Sequence, residues 1–377
     1  MGKQRLRNIR KPFGIWSRRS PFKRAISDFR LGTRSFTNLS LYTFGLSGIW
    51  TAVGSVVLPF KILDVLEVGT IEVFGQILDK NGALGVMSLI GLPIGALIQL
   101  ITGSISDRSE KQGKRLPYLF IGGIGLAIST VLLGFTTTFA SLFLIYMTMQ
   151  IFGNAGQGPA NALIVDHVAP RRRGEASGVL NLWRLLGAGI VTVVVLQFMA
   201  NYHSETAPKW LWYSIAFMVV VLIVSMLWTT LSIRPSAKLK NTRLTRNFAT
   251  QNPSHSNDAP RPKFYLSKSY LIFLIALAFS IAALSSLQIY ALFFLQDVVG
   301  LANPANGADL LVIVVIATAV LTVLPAGKFA DKFGKGTLFF LAGLSGAIAS
   351  ILLLFVNSIV PVLGIGAILG FSAGLFL

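Results

Sequence analysis

The sequence predicts an all-α polytopic membrane protein, and three observations carry that prediction. Of its 377 residues 53% are hydrophobic and only 12% charged, about half the charged share that a soluble chain uses to coat its surface. Apolar runs of about 20 residues recur along the chain, the length that crosses a hydrocarbon core of roughly 30 Å as a helix. The charges cluster at the ends of these runs, and the mean hydropathy is +0.69.

Ten helices are predicted, over about 39–62, 83–105, 116–136, 138–165, 177–200, 210–233, 270–296, 308–330, 336–356 and 358–377, from their apolar length and flanking charges. The first follows a basic tail running from Lys3 to Arg34, with one acid, Asp28. That tail has no apolar stretch before Leu39, so it does not read as a cleaved signal peptide. An acidic loop with Asp64, Glu67, Glu72 and Asp79 leads to the second helix, which ends on Arg108, Lys111, Lys114 and Arg115. The third and fourth meet at Thr137, and the fourth ends on Arg171, Arg172 and Arg173. The fifth and sixth meet near Glu205, and a loop from Arg234 to Lys268 with eight bases follows. The seventh and eighth meet at Asp297, Lys328, Lys332 and Lys335 close the eighth, and the last two meet near Val356. Bases therefore occupy alternate loops. By the positive-inside rule the N-terminus is expected in the cytoplasm, and the chain is read as a multi-pass protein of the cell membrane. The net charge of +19 then reflects topology and contact with anionic lipid headgroups, and nucleic acid is not expected as a partner.

An internal repeat organises the chain. Gly103-Ser104-Ile105-Ser106-Asp107-Arg108 closes the second helix and Gly327-Lys328-Phe329-Ala330-Asp331-Lys332 the eighth; a shift of 224 residues carries Asp107 onto Asp331 and roughly superimposes the remaining spans. Parallel six-helix repeats are one of the symmetries transporters use. The expected organisation is a basic cytoplasmic tail over 1–38, a six-helix bundle over 39–233, a proline-rich polar linker over 234–269, and an incomplete second bundle over 270–377. The repeat expects the tenth helix to continue past Leu377 and two more to follow, so the last two of twelve are expected to be missing.

The loop after the second helix runs glycine, three residues, aspartate and a base, then glycine and further bases: Gly103, Asp107, Arg108, Gly113, Lys114, Arg115. On these residues the chain resembles the major facilitator superfamily. The long spacer and the Pro117-Tyr118 pair are similar to its branch of glycoside–cation symporters and sucrose transporters. The segment from Asp166 to Gly178 also resembles the superfamily's loop between helices four and five, with Asp166 and Arg173 in it. Gly327, Asp331, Lys332, Gly334 and Lys335 form the second copy of the motif. The resemblance implies a bundle of two six-helix repeats and transport by alternating access. It also implies that the first aspartate docks near an eleventh helix, which the chain does not reach, and that Asp331 docks around Ser177 and Gly178.

The charges allow part of this to be argued without the family. Asp107 stands at a helix C-terminus, where the macrodipole disfavours an anion. It should be held by a cation, and Arg108, Arg115 and Arg171–173 are at hand, with Asp166 as a second anion. A network of this kind can be made in one state and broken in the other, a gate. The plainer reading is a positive-inside loop with incidental acids.

The solute-facing candidates lie on helix four. Gln150, Asn154, Gln157 and Asn161 are spaced by four, three and four, so they share one face. A carboxamide facing lipid would lack partners at a cost of about a kcal/mol or more. Carboxamides both donate and accept, which suits a neutral, hydroxyl-rich solute; interhelical hydrogen bonding is the competing role. The resemblance implies a central cavity lined by helices one, four, seven and ten. Trp50 on helix one and Gln288 and Tyr290 on helix seven are added as candidates, an aromatic plate with carboxamides fitting a sugar ring. Arg184 is read as the one charge inside a span, either joined to the gate, reaching to the headgroups, or binding an anion.

No acid is read mid-membrane, and His167, His203 and His255 fall at helix ends or in loops. Uniport therefore stands beside ion coupling, for which Asp64 and Asp297 are the remaining candidates. The absence of cysteine excludes a thiolate metal site, and no phosphate loop, nucleophile elbow or metal-ligand cluster suggests an enzyme. No cofactor or metal is expected. The expected partner is a small-molecule solute, with a neutral sugar or glycoside leading; the oligomeric state is not specified and a monomer is assumed. The alternatives are a multidrug carrier of the same fold and a non-transporting scaffold or pigment-delivery relative.

Overall fold

The computed structural model describes residues 21–107, 115–168, 172–202, 207–233 and 268–376. Helix α1 runs over Pro21–Ala52, passes through a π-helical segment at Val53–Val57, and continues over Leu58–Val68. Pro59 explains the π-turn, because its missing N–H and its ring disturb the preceding turn and a wider turn absorbs the mismatch. The other helices are α2 (Lys80–Asp107), α3 (Leu116–Gly134), α4 (Phe139–His167), α5 (Arg173–Met199), α6 (Ala207–Ser232), α7 (Lys268–Asp297), α8 (Pro304–Phe333), α9 (Lys335–Leu352) and α10 (Ile359–Phe376). Among the described residues, ten helices are long and apolar enough to cross a membrane.

The element boundaries depart from the sequence reading at α1. Hydropathy marks a span beginning at Leu39 and ending at Ile62, whereas the helix begins at Pro21 and reaches Val68. Hydropathy reports the lipid-facing length, and helical hydrogen bonding continues into polar surroundings beyond it. Asp64 and Glu67 are thereby helical, and the acidic loop is shortened to a hairpin, β1 (Ile71–Val73) with β2 (Gln76–Leu78). Its two-residue turn, Phe74-Gly75, has φ of 54° and 77°, the paired left-handed geometry of a type I′ turn. At α4 the start is set by Thr138, which forms a capping box with Ser141.

Helices pack through small residues. A Cβ on Gly122 of α3 would lie 2.6 Å from the Gly156 backbone nitrogen of α4, so the two backbones touch. Gly187 of α5 fits the same way against the Phe44 carbonyl of α1. The repeat is visible in these contacts. Gly95 of α2 faces Gln150 of α4, and the pair shifted by 224 residues, Ala319 of α8 and Gly374 of α10, is again in contact. The core joins α1 and α3–α6 to α7, α8 and α10 through residues such as Tyr42, Leu126, Met218, Phe293 and Val362. On the outside, Leu89, Leu100, Phe279, Phe340 and Leu354 are exposed, as expected where lipid rather than water is the neighbour.

Candidate functional site

A cavity of 440 Å³ lies between α1, α2, α4, α5 and α7. It brings together Trp50, Gln150, Asn154, Gln157, Arg184 and Gln288 from the predicted set. The carboxamides of α4 form a ladder, because a carboxamide four residues below another on one helix face comes within bonding reach. Gln150 Nε2 donates to the Tyr146 hydroxyl at 2.9 Å, and Asn154 Nδ2 donates to the Gln150 backbone carbonyl at 2.9 Å and its Oε1 at 3.1 Å. Gln157 makes no side-chain hydrogen bond among the described residues, so its donors and acceptor face the cavity unengaged. The Trp50 indole lies across the bare backbone of Gly153, with its N–H buried and without a partner among the described residues.

Two predicted residues lie elsewhere. Asn161 sits lower on α4, accepts a bond from Arg184 at 3.1 Å, and lines a second groove rather than the cavity. The Tyr290 hydroxyl points away from the cavity to the Asn81 carbonyl, 3.3 Å distant. Tyr146 and Asn181 line the cavity and were missed in the sequence. The spacing held the clue, since Tyr146 is four residues before Gln150 and Asn181 three before Arg184.

The motif end carries a three-membered charge relay. Arg115 lies 2.7 Å from Asp107 and 2.5 Å from Asp166, with a second bond to Asp166 at 3.2 Å. It also donates to Ser106 at 3.2 Å. One cation thus ties the C-terminus of α2 to that of α4. Arg173 caps α4 by donating to the carbonyls of Val165 and Val168, and Arg172 pairs with Glu175. Beside the relay an open groove of 620 Å³ is lined by Gln99, Gly103, Asp107, Gly158 and Asn161. Arg108, Gly113 and Lys114 lie outside the described residues, as do the side chains of Asp331, Lys332 and Lys335 and the surroundings of Gly327. Gly334 joins α8 to α9 with a φ of 85°, a conformation that suits glycine. Around Gly174 and Gly178 at the start of α5 there is open space.

At the opposite end α1–α6 meet α7–α10. Lys80 at the start of α2 pairs with Asp297 at the end of α7 at 2.6 Å, donates to Gln296 at 3.0 Å, and lies over the Phe293 ring. Gln197 of α5 donates to Asp309 of α8, and Asn303 donates to the Ala200 carbonyl at 2.9 Å. One sequence reading is corrected here. Arg184 is not the only charge inside a span, because Lys61, 6% exposed and 3.8 Å from Asp64, already lies near the end of the predicted first span and stays within α1. Asp309, the second residue of the predicted eighth span, is buried in the first turns of α8. The Asp64 carboxylate accepts a 2.6 Å bond from the Tyr202 hydroxyl. Burial, that bond and the nearby charges of Asp64 and Glu67 raise the Tyr202 pKa, so it remains a donor at neutral pH.

The sequence pattern of the Major Facilitator Superfamily matches residues 35–377. A stretch covering 26% of this chain is 28% identical to the sucrose transport protein SUC3 of Arabidopsis thaliana; the match spans a fifth of that relative's length. The fold is similar to that of the xylose transporter XylE from E. coli in a partially occluded inward-open conformation. The TM-score is 0.62 at 16% identity, covering 91% of this chain and 85% of the other. It is also similar to a mutant form of the nucleoside transporter NupG, with a TM-score of 0.56 at 13% identity, covering 91% and 79%.

Proposed function

This chain belongs to the Major Facilitator Superfamily, and from that premise we propose that it carries a sugar or glycoside across the cell membrane by alternating access. It is a multi-pass membrane protein and a transporter rather than an enzyme. The observation that carries the substrate class is the cavity wall, where carboxamides of α4 and α7 stand beside the Trp50 indole. Amide groups match hydroxyls as both donors and acceptors, and an indole face suits the C–H side of a ring. No carboxylate lines this cavity among the described residues, which disfavours the reading as a carrier of cationic drugs. We place the motif end in the cytoplasm by its basic loops, with a six-helix bundle over 39–233 and a second bundle from residue 270 as the two moving bodies. In this state the Lys80–Asp297 contact closes the outer end, while the groove beside Asp107 is open.

Neutral sugars and glycosides are the first class to test, by the melting temperature of the purified protein in detergent. A ligand that binds the folded state raises that temperature with its occupancy. A dose-dependent rise with a sugar is expected in the wild type, and Gln157→Ala should weaken it at least tenfold without lowering the unliganded melting temperature. A rise that persists unchanged in Gln157→Ala removes that residue from the site, and silence across a broad sugar panel rejects the substrate class.

The outer closure can be tested separately, because the sequence has no cysteine and a single Thr51→Cys reports access to the cavity without background. Asp297 is 43% exposed in its pair with Lys80, so the contact is worth about 0.5–1 kcal/mol. Lys80→Ala should therefore raise labelling from the outside by roughly two- to fivefold. Unchanged labelling means that other contacts hold the outer end shut.

A further inference from the structure

Arg184 is a cation in a cavity that holds no counter-charge among the described residues. It lies eleven residues into α5, about 16 Å along the axis at ~1.5 Å per residue, farther than an arginine side chain extends, so it does not reach the headgroups at the motif end. Arg184 lines the cavity, and its guanidinium donates to the Asn161 side-chain oxygen at 3.1 Å. No carboxylate among the described residues pairs with it: Asp107 and Asp166 are held by Arg115, Asp64 faces Lys61 and Tyr202, and Asp309 accepts from Gln197. A guanidinium has five N–H donors in a planar fork, more than one amide oxygen can engage. An unpaired charge at this depth is costly, and a bidentate oxyanion is the partner whose geometry the fork matches.

We propose that Arg184 is an anion subsite of the cavity and that the preferred solute is a sugar bearing a carboxylate, such as a uronic or aldonic acid. The carboxylate takes the Arg184 fork while the hydroxyls meet Gln157 and Gln150, and the ring lies toward Trp50. This rests on the sugar reading of the same cavity and narrows it. The negative charge that other carriers would supply from a protein acid is brought here by the solute.

The test compares D-glucuronate, D-glucose and acetate at matched ionic strength as stabilisers of the purified full chain, in the wild type, Arg184→Lys and Arg184→Gln. Glucuronate is expected to act at a concentration at least tenfold below glucose in the wild type. Arg184→Gln should raise the glucuronate midpoint at least tenfold and leave the glucose midpoint within twofold. Arg184→Lys, which keeps the charge and loses the fork, should fall between and shows whether a loss in Arg184→Gln is electrostatic or a failure to fold. Equal midpoints for glucose and glucuronate in the wild type, or a preference that survives Arg184→Gln, overturns the subsite and leaves the sugar reading standing. A response to acetate with neither sugar active, lost in Arg184→Gln, keeps the anion subsite and rejects the sugar reading instead.

Discussion

Arg115→Ala should lower solute uptake at least tenfold while shifting the melting temperature little. Arg115 is the shared partner of Asp107 and Asp166, and its removal leaves two carboxylates facing each other at the ends of α2 and α4. The stability cost stays small because Asp107 is 64% exposed and Asp166 38%, and solvent screens exposed pairs to about 1 kcal/mol or less each. The transport cost is larger, because a gate that opens and closes each cycle depends on the energy difference between its two states. Asp107→Ala should impair uptake for the same reason and leave Arg115 on Asp166 alone. Uptake into vesicles alongside thermal unfolding separates the two effects. Wild-type uptake in both variants would show that the relay is only a structural tie between α2 and α4.

Gly187→Ala should give the largest loss of stability of any single methyl group added to α5. The new Cβ would fall well inside van der Waals contact with the Phe44 carbonyl oxygen, a backbone atom that cannot rotate aside. Overpacking of this kind costs about 1–3 kcal/mol or more, and α1 would have to move away from α5 along the wall of the cavity. Gly174→Ala on the same helix is the control, with nothing within 4 Å of its Cβ; it should be neutral or gain up to about 1 kcal/mol from helix propensity. Unfolding in detergent should therefore show a marked drop for Gly187→Ala and none for Gly174→Ala. Similar behaviour in the two variants would contradict the close crossing of α1 and α5.

Much of the site could be read in the sequence, though unevenly. The carboxamide face of α4 was legible because helical periodicity alone puts Gln150, Asn154 and Gln157 on one side. Depth along the axis was not: Asn161 shares that face, yet it lies a turn below the cavity and belongs to Arg184. Tyr290 sits only two residues from Gln288, but on a helix that rotates a side chain by about 200°, toward α2 and Asn81. The pairing of Asp107 with a nearby arginine was expected from the helix dipole. That Arg115 holds Asp166 as well was not local, because it brings the start of α3 to the ends of two other helices, α2 and α4. The contacts Lys80–Asp297 and Gln197–Asp309 join residues more than a hundred positions apart, and no local pattern marks them.

What the sequence determined by itself is whatever a single segment settles with its surroundings. Twenty apolar residues must form a helix in lipid because no water is there to bond the backbone, and loop charges and the repeated glycine–aspartate motif are equally local. What only the tertiary structure decided is what two segments settle with each other. It decided that the α1–α6 and α7–α10 groups close at the Lys80 end, and that Arg184 faces a cavity with no acid among its described lining residues. Polar side chains in lipid must find partners, but which partner is within 3 Å depends on helix rotation and crossing, and small residues such as Gly122, Gly156 and Gly187 set those by letting particular backbones touch.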